Sequence, residues 1–259
     1  ICDGASGTIS ATPSGGNNGP YTYLWSNAVT TKSQVVNPKL VNSPAKYIVT
    51  IKDGCSEPAI DTATVIIHPG SIGTLVGSDT AGCEPLEVNF SAISNNGLTY
   101  VWNFGDGTPE VTAVSPTHEY KNDGKYTVTV NVKTAFGCIT PIVRPQYITV
   151  YPVPEAAFLS DLSSTTFISP IVNFKDVSKP DVVSWDWDFN DPSTKANNTS
   201  KLKNPTHAFS GINDYNVRLI VTTIHGCIDT TYEIYHVYDD FVFYVPNTFT
   251  PNEDGINEV

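Results

Sequence analysis

The chain has 259 residues with 14 basic and 26 acidic side chains, and its net charge of −12 repels phosphate backbones and argues against a nucleic-acid partner. Aromatic residues make up 11% and charged residues only 15% of the chain, which favours strands and turns. The length suits two or three small domains, and no apolar run approaches the about 20 residues that span a bilayer.

Three consecutive segments carry the same order of sequence signals. Each has an aromatic strand, then a strand of alternating residues that begins with tyrosine, then a Gly-Cys pair. Internal repetition of this kind predicts tandem copies of one folded unit. The aromatic strands are predicted at residues 21–25, 100–104 and 185–189, the alternating strands at 47–51, 126–130 and 215–219, and the Gly-Cys pairs at 54–55, 137–138 and 226–227.

The alternating strand of the second segment carries the argument for the fold. From residue 126 to residue 132 every second side chain is apolar, so one face should be buried and the other exposed. Trp102 and Phe104 share one parity on the preceding strand and should face the same core. A second sheet must cover that core, and residues 88–90 and 147–150 are candidate strands. We find no apolar pattern of helical period, so helices should be minor.

We therefore predict an all-β chain of three tandem immunoglobulin-like β-sandwiches. Short linkers, two of which contain proline, should arrange them as an elongated rod. The sequence begins without methionine and ends within a motif, so we expect it to be part of a longer protein. The predicted domains are residues 1–68 (the first copy), residues 69–152 (the second copy), residues 153–240 (the third copy), and residues 241–259, which would be the first strand of a further domain.

The five cysteines lie too far apart in sequence for a zinc knuckle or a C-x-x-C redox motif. Long separations within one domain are typical of disulfides that join the two sheets of a sandwich. We pair Cys2 with Cys55 and Cys83 with Cys138, which leaves Cys227 as a free, buried thiol. Each disulfide would close a loop of about 50 residues and would stabilise the fold by roughly 4 kcal/mol. Two such bonds imply an oxidising compartment.

The second copy resembles the PKD (polycystic kidney disease) domain. The resemblance rests on the signature Trp-Asn-Phe-Gly-Asp-Gly at residues 102–107, on His-Glu-Tyr at 118–120 and on Gly-Lys-Tyr-Thr-Val at 124–128. The third copy looks like a degenerate PKD domain, in which Asn-Asp-Pro replaces the Gly-Asp-Gly turn and no residue corresponds to Cys83. The first copy resembles the short repeats of large surface adhesins of Bacteroidota.

Residues 243–258 resemble the opening of the gliding-motility-associated C-terminal domain, which is the type B sorting signal of type IX secretion. The resemblance implies export to the outer cell surface, with the type IX translocon and the outer-membrane attachment machinery as partners. PKD copies before such a domain are similar to the C-terminal part of gliding adhesins of the SprB kind. The residues that match the motif are Pro246, Asn247, Phe249, Pro251, Asn252, Asp254, Gly255 and Asn257.

Several side chains invite a functional reading, and for each we expect a structural role. We expect no cofactor and no metal site, although Ca²⁺ at the acidic turns is the alternative. His118 and His207 should serve packing and hydrogen bonding, and the Asp106 turn should be closed by backbone capping. The carboxylates that we weighed as cation ligands are Asp106, Asp188, Asp191 and Asp254.

Three tryptophans should be core residues, namely Trp25, Trp102 and Trp187. Trp185 shares the strand parity of Trp187 and should be at least partly buried, with contact to a glycan as the alternative. Three Asp-Thr pairs fit the O-glycosylation pattern of Bacteroidota, and their acceptors would be Thr62, Thr80 and Thr230.

The sequence shows no nucleophile elbow, zincin motif or P-loop, so we expect no enzyme activity. We predict a non-catalytic stalk of a large secreted cell-surface adhesin that serves gliding or surface attachment. The alternatives are a module that binds carbohydrate, such as a surface polysaccharide, or protein, and a spacer in a secreted multidomain hydrolase.

Overall fold

The computed structural model describes residues 1–16 and 20–239, and nearly all of its elements are β-strands. The predicted all-β class with tandem immunoglobulin-like domains is confirmed. The chain forms two compact units, and each is described by itself. They are Ile1–Ala81 with Pro85–Val150, and Gly82–Glu84 with the chain from Tyr151 onward.

The first copy, within the first unit, has two small antiparallel sheets. Strand β1 pairs with β3, and β2, β4 and β5 follow one another in the other sheet. A 3-10 helix at Leu40–Asn42 precedes β4. The strands are β1 (Gly7–Ser10), β2 (Thr22–Trp25), β3 (Ser33–Val36), β4 (Ala45–Lys52) and β5 (Ala59–Val65).

The second copy is a fuller sandwich. One sheet has the order β10-β9-β12-β13-β7, and the facing sheet has the order β11-β8-β6. The strands are β6 (Gly73–Gly77), β7 (Ala81–Cys83), β8 (Leu86–Ser94), β9 (Gly97–Asn103), β10 (Val111–Thr112), β11 (Thr117–Tyr120), β12 (Gly124–Thr134) and β13 (Ile139–Tyr151).

The third copy, in the second unit, repeats this arrangement. Its sheets have the orders β15-β21-β20-β17-β18 and β14-β16-β19, and β15 runs parallel to β21. A 3-10 segment covers Pro192–Asn198. The strands are β14 (Phe158–Ser160), β15 (Ser164–Thr166), β16 (Ile171–Asp176), β17 (Val182–Asp188), β18 (Thr199–Ser200), β19 (Thr206–Ala208), β20 (Asn213–Thr223) and β21 (Ile228–Tyr238).

The buried apolar side chains of the described residues form three clusters, each confined to one copy. Each cluster contains one of the tryptophans predicted as core residues, and the exposed fractions of Trp25, Trp102 and Trp187 are 2%, 0% and 0%. The alternation predicted for β12 is present, since Val128, Val130 and Val132 are fully buried. We propose that each cluster is the core of one domain.

The prediction of the covering sheet is half right. Residues 88–90 belong to β8, which lies in the facing sheet as expected. Residues 147–150 instead belong to β13, which pairs with β12 and therefore extends the sheet that carries Trp102. Ile148 and Val150 still reach the core from there, because they share the inward parity of β13.

The predicted disulfide pairing is wrong. Cys2 bonds to Cys138 and Cys83 bonds to Cys227, across 136 and 144 residues of sequence. Cys227 is therefore not a free thiol, and Cys55 is the exposed cysteine that lies outside both disulfides. Each disulfide joins a cysteine of one sequence copy to a cysteine of the next.

The position of the Gly-Cys pair explains the error. Thr134 donates its amide to the Cys138 carbonyl at 2.9 Å, so Cys138 lies in the tight connection after β12, at the end of the sandwich. A disulfide between the sheets requires cysteines that face each other across the core, and Phe90 of one sheet and Trp102 of the other fill that place. A cysteine at the end of a sandwich instead meets residues of the neighbouring copy.

None of the helical segments in the described residues has the length and apolar character needed to cross a membrane. The sorting-domain residues, from Pro246 to Asn257, and Asp254 among the candidate cation ligands, lie outside the described residues.

Candidate functional site: clamped turns and cross-linked junctions

A single carboxylate closes the turn after the aromatic strand of the second copy. Asp106 accepts hydrogen bonds from the Thr108 amide at 3.1 Å and from the Thr108 hydroxyl at 2.6 Å. Its other oxygen lies 2.7 Å from Nε2 of His118, whose ring stacks on Phe104. Burial by itself would raise the pKa of Asp106, but the hydrogen bonds from Thr108 and His118 outweigh it and lower that pKa. The ionised carboxylate thus ties the turn to strand β11.

The two glycines beside Asp106 provide a matched test of this turn. Gly105 and Gly107 have φ values of +82° and +84°, so alanine is strained at both positions, by roughly 1–2 kcal/mol. A Cβ at Gly105 would lie 2.3 Å from the Thr127 carbonyl oxygen, whereas a Cβ at Gly107 meets nothing within 4 Å. Gly105→Ala should therefore lower the stability of the second copy by about 1–3 kcal/mol more than Gly107→Ala.

Native-state hydrogen exchange of the β12 amides measures this difference, because it reports on the second copy alone. Equal losses in the two variants would show that φ strain, and not the contact with Thr127, determines the need for glycine.

The third copy has the same clamp in a more buried form. Asp191 accepts hydrogen bonds from the Ser210 amide at 2.8 Å and from the Ser210 hydroxyl, and its carboxylate lies 3.2 Å from Nε2 of His207. The Asp191 amide donates to the side chain of Asn198. The His207 ring stacks on Phe189, and the side chains of His207 and Asp191 are each 1% exposed. Burial lowers the pKa of His207 despite the attraction of Asp191.

The Ser210, Asp191 and His207 cluster does not have the order of a hydrolytic triad. In such a triad the imidazole lies between the serine and the carboxylate. Here the carboxylate lies in the middle and accepts from both neighbours. The arrangement is suited to holding a turn, since the serine hydroxyl is committed to Asp191.

The neighbouring carboxylates of the third copy are also paired with protein donors. Asp188 accepts from the Asn190 amide at 2.9 Å and lies 3.4 Å from the Arg218 guanidinium. Asp186 lies 2.7 Å from the Lys201 ammonium. Within residues 1–16 and 20–239, no three His, Cys, Asp or Glu side chains gather as a metal site. Asp186, Asp188 and Asp191 therefore each bind separate protein donors.

Trp185 is half-buried and packs against the core of the third copy. The Lys203 ammonium lies 5.4 Å from its ring centroid, within the range of a cation–π contact. Its ring is therefore not the open platform on which a sugar would stack.

The three threonines weighed as glycosylation acceptors, Thr62, Thr80 and Thr230, are all exposed. Asp61 accepts the Thr62 amide at 2.7 Å, which fixes the first of these Asp-Thr pairs locally. Glycosylation stays a prediction that their exposure permits.

Around the first disulfide, three kinds of contact hold the chain at one place. Cys2 is bonded to Cys138. The next residue, Asp3, donates its amide to the His68 carbonyl at 3.0 Å. The His68 ring stacks on Phe136, with 3.9 Å between the centroids. We call this group the first junction.

The second disulfide repeats this geometry. Cys83 is bonded to Cys227. The next residue, Glu84, donates its amide to the Tyr151 carbonyl at 3.0 Å. The Tyr151 ring stacks on His225, with 3.6 Å between the centroids. This group is the second junction, and its likeness to the first shows that the cross-link is a property of the repeat.

The linker aromatics His68 and Tyr151 are site residues that the sequence reasoning missed. A signal for them exists, because His68 follows the last strand of its copy, Tyr151 ends the last strand of its copy, and each is followed by proline. Cys2 and Cys83 carry a matching signal, since each is followed by an acidic residue.

The first copy also has a cavity of about 420 Å³. Its floor contains Trp25, Val49 and Ile51, and carboxylates at Asp53 and Asp61 line it. It lies between two sheets of only two and three strands, so the small size of this sandwich accounts for the opening.

Comparison with known families matches three parts of the chain. Residues 73–150 and 149–237 each match the PKD domain, and residues 1–30 match the SprB repeat. Among curated proteins, collagenase ColA of Bacillus cereus is 30% identical over 119 residues. That match covers 44% of this chain and only 12% of the collagenase.

Solved structures of similar fold include the PKD1 domain of the Vibrio cholerae metalloprotease PrtV. It is 27% identical, with 33% of this chain and 98% of that chain covered and a TM-score of 0.28. A Ca²⁺-stabilised adhesin of an Antarctic bacterium is 12% identical, with 92% and 70% covered and a TM-score of 0.40. Since the two PKD matches together span more than half of the sequence, the chain belongs to the PKD domain family.

Proposed function

We propose that this chain is a non-catalytic stalk of a large cell-surface adhesin. The observation that carries the proposal is the covalent joining of successive copies through two junctions of the same design. A stalk must keep its copies connected outside the cell, where disulfides persist. The SprB repeat at residues 1–30 supports a place in an adhesin.

The proposed route to the surface is type IX secretion. It is supported by the motif at residues 243–258, which lies outside the described residues. The partners would be the type IX translocon and the outer-membrane attachment machinery, and a surface polysaccharide would be the substratum. Attachment or gliding would then be the role of the whole protein.

Antibodies against the described copies, applied to intact cells of the native bacterium, test this proposal. We expect surface labelling in the wild type and its loss, with antigen retained inside, in a strain without the type IX translocon. Labelling that is unchanged in that strain would overturn the export route. Deletion of residues 73–237 should reduce cell attachment, and unchanged attachment would overturn the stalk role.

The second candidate is a spacer in a secreted multidomain hydrolase. The similarity to collagenase ColA over 119 residues supports it, because that protein carries similar sequence within a much longer chain. The same deletion separates the candidates. A spacer predicts that secreted hydrolytic activity falls while cell attachment is kept.

A further inference from the structure

The two disulfides overlap along the sequence. Cys83 lies between Cys2 and Cys138, and Cys138 lies between Cys83 and Cys227. We propose that this overlap loads the three copies in parallel, so that the chain cannot extend beyond its shortest segment. The inference concerns the covalent connectivity of the isolated chain, so it stands whether or not the protein is an adhesin.

The overlap joins the two cystines by three segments in parallel. They are residues 2–83, 83–138 and 138–227, and each begins at one cystine and ends at the other. The end-to-end distance cannot exceed what the shortest segment allows. That segment is residues 83–138, about 55 residues or about 190 Å when fully extended at about 3.5 Å each. The other two segments are longer, and a copy that stays folded shortens the segment to which it belongs.

Tension that enters at Ile1 passes at Cys2 directly to Cys138. From this cystine the three segments share the tension, because each of them leads to the cystine of Cys83 and Cys227. Unfolding of one copy then adds little length between the chain ends until the other copies open as well. Beyond Cys227 lies β21, which can peel away and add about 12 residues, or about 40 Å.

The shortest segment belongs to a copy with a complete core. Trp102, Val128 and Val130 are fully buried within it, and Tyr120 donates to the Phe104 carbonyl. Burial raises the pKa of Tyr120 strongly, which is consistent with a closed interior. The first copy, by contrast, has only four buried apolar residues in its cluster and an open cavity. Parallel loading therefore relieves the less closed copy of part of the tension.

Single-molecule force extension of the whole chain, held at its two ends, tests the proposal. The oxidised protein should allow a distance of at most about 190 Å between the two cystines, reached once all three copies have opened, and a further extension of about 40 Å from β21. A dithiol reductant turns each cystine into two thiols and is itself oxidised to a disulfide. The fully stretched reduced chain should be about 600 Å longer than the oxidised one.

Paired cysteine variants give intermediate lengths. Cys2→Ser with Cys138→Ser leaves one cross-link and should lengthen the stretched oxidised chain by about 90 Å. Cys83→Ser with Cys227→Ser should lengthen it by about 120 Å. These lengths depend on covalent connectivity alone, so they remain measurable if a variant folds poorly.

Two equivalent core tryptophans provide the mechanical control. Trp102→Ala should lower the force at which the oxidised chain opens. Trp25→Ala should lower it as well, because the first copy shares the load. An oxidised chain about 220 Å longer than expected would indicate sequential pairing, as in Cys2–Cys55 with Cys83–Cys138, and would overturn the proposal. An oxidised opening force that Trp25→Ala leaves unchanged would overturn parallel loading.

Discussion

Replacing Trp187 by alanine should lower the free energy of unfolding of the third copy by about 3–5 kcal/mol. Its ring is fully buried and lies 5.0 Å from Phe158 and 5.6 Å from Phe174, measured between centroids. Its indole N–H donates to the Leu202 carbonyl at 2.9 Å. The substitution leaves a cavity among these rings and an acceptor without its donor, and both effects destabilise.

Native-state hydrogen exchange of β20 measures the loss, and β12 of the second copy serves as the internal reference. Because Trp187 belongs to the cluster of the third copy alone, β12 should keep its protection. The matched variant is Trp185→Ala, on the same strand but half-buried, and its cost should be clearly smaller. Loss of protection in β12 to the same extent as in β20 would contradict the assignment of one core to each copy.

Local pattern was sufficient to predict the sandwiches. Period-two alternation from Tyr126 to Val132 depends only on which side of a strand each residue occupies, and that is a property of consecutive residues. The buried Trp102 and Phe104 follow from the same parity on the strand before. The turn clamp was partly predictable, since Asp106 and His118 stand at positions typical of a turn and a packed ring.

The disulfides were not predictable from that pattern, because pairing depends on which ends of the copies meet. Cys138 and Cys227 lie in the connections at the ends of their sandwiches, where the nearest cysteine belongs to the preceding copy in sequence. The third copy has no counterpart of Cys83. This absence is the sign in the sequence that each disulfide joins one copy to the next. The sequence reasoning took that absence as the reason for an unpaired Cys227, although Cys83 supplies its partner.

The buried clamp of the third copy should be far less tolerant of substitution than its counterpart in the second copy. Asp191→Ala removes the acceptor for His207, which is buried with it, and for two donors of Ser210, which is exposed. We expect a loss of about 3–5 kcal/mol, as for other buried pairs that lose one partner. The matched Asp106→Ala, at a position 12% exposed, should cost about 1–2 kcal/mol because water can replace part of the bonding. Equal losses, measured by exchange in β20 and β12, would contradict a role for burial.

Acidification should weaken the His207 clamp of the third copy at a higher pH than the Asp106 clamp of the second copy. The pKa of His207 is lowered in the folded state by burial, so the unfolded chain binds its proton first, below about pH 6.5. The contribution of neutral His207 to the free energy of unfolding is complete above that pH. It is lost as the pH falls through the pKa of His207 in the folded state. Because the pKa of Asp106 is lowered, the contribution of its carboxylate to the free energy of unfolding is complete above about pH 4 and is lost only below that pH.

The protection of the β20 amides against exchange, corrected for the intrinsic rate, should therefore weaken between pH 7 and 5 while β12 stays protected. His207→Gln should remove this pH dependence, and a dependence that survives in the variant would assign it to another group.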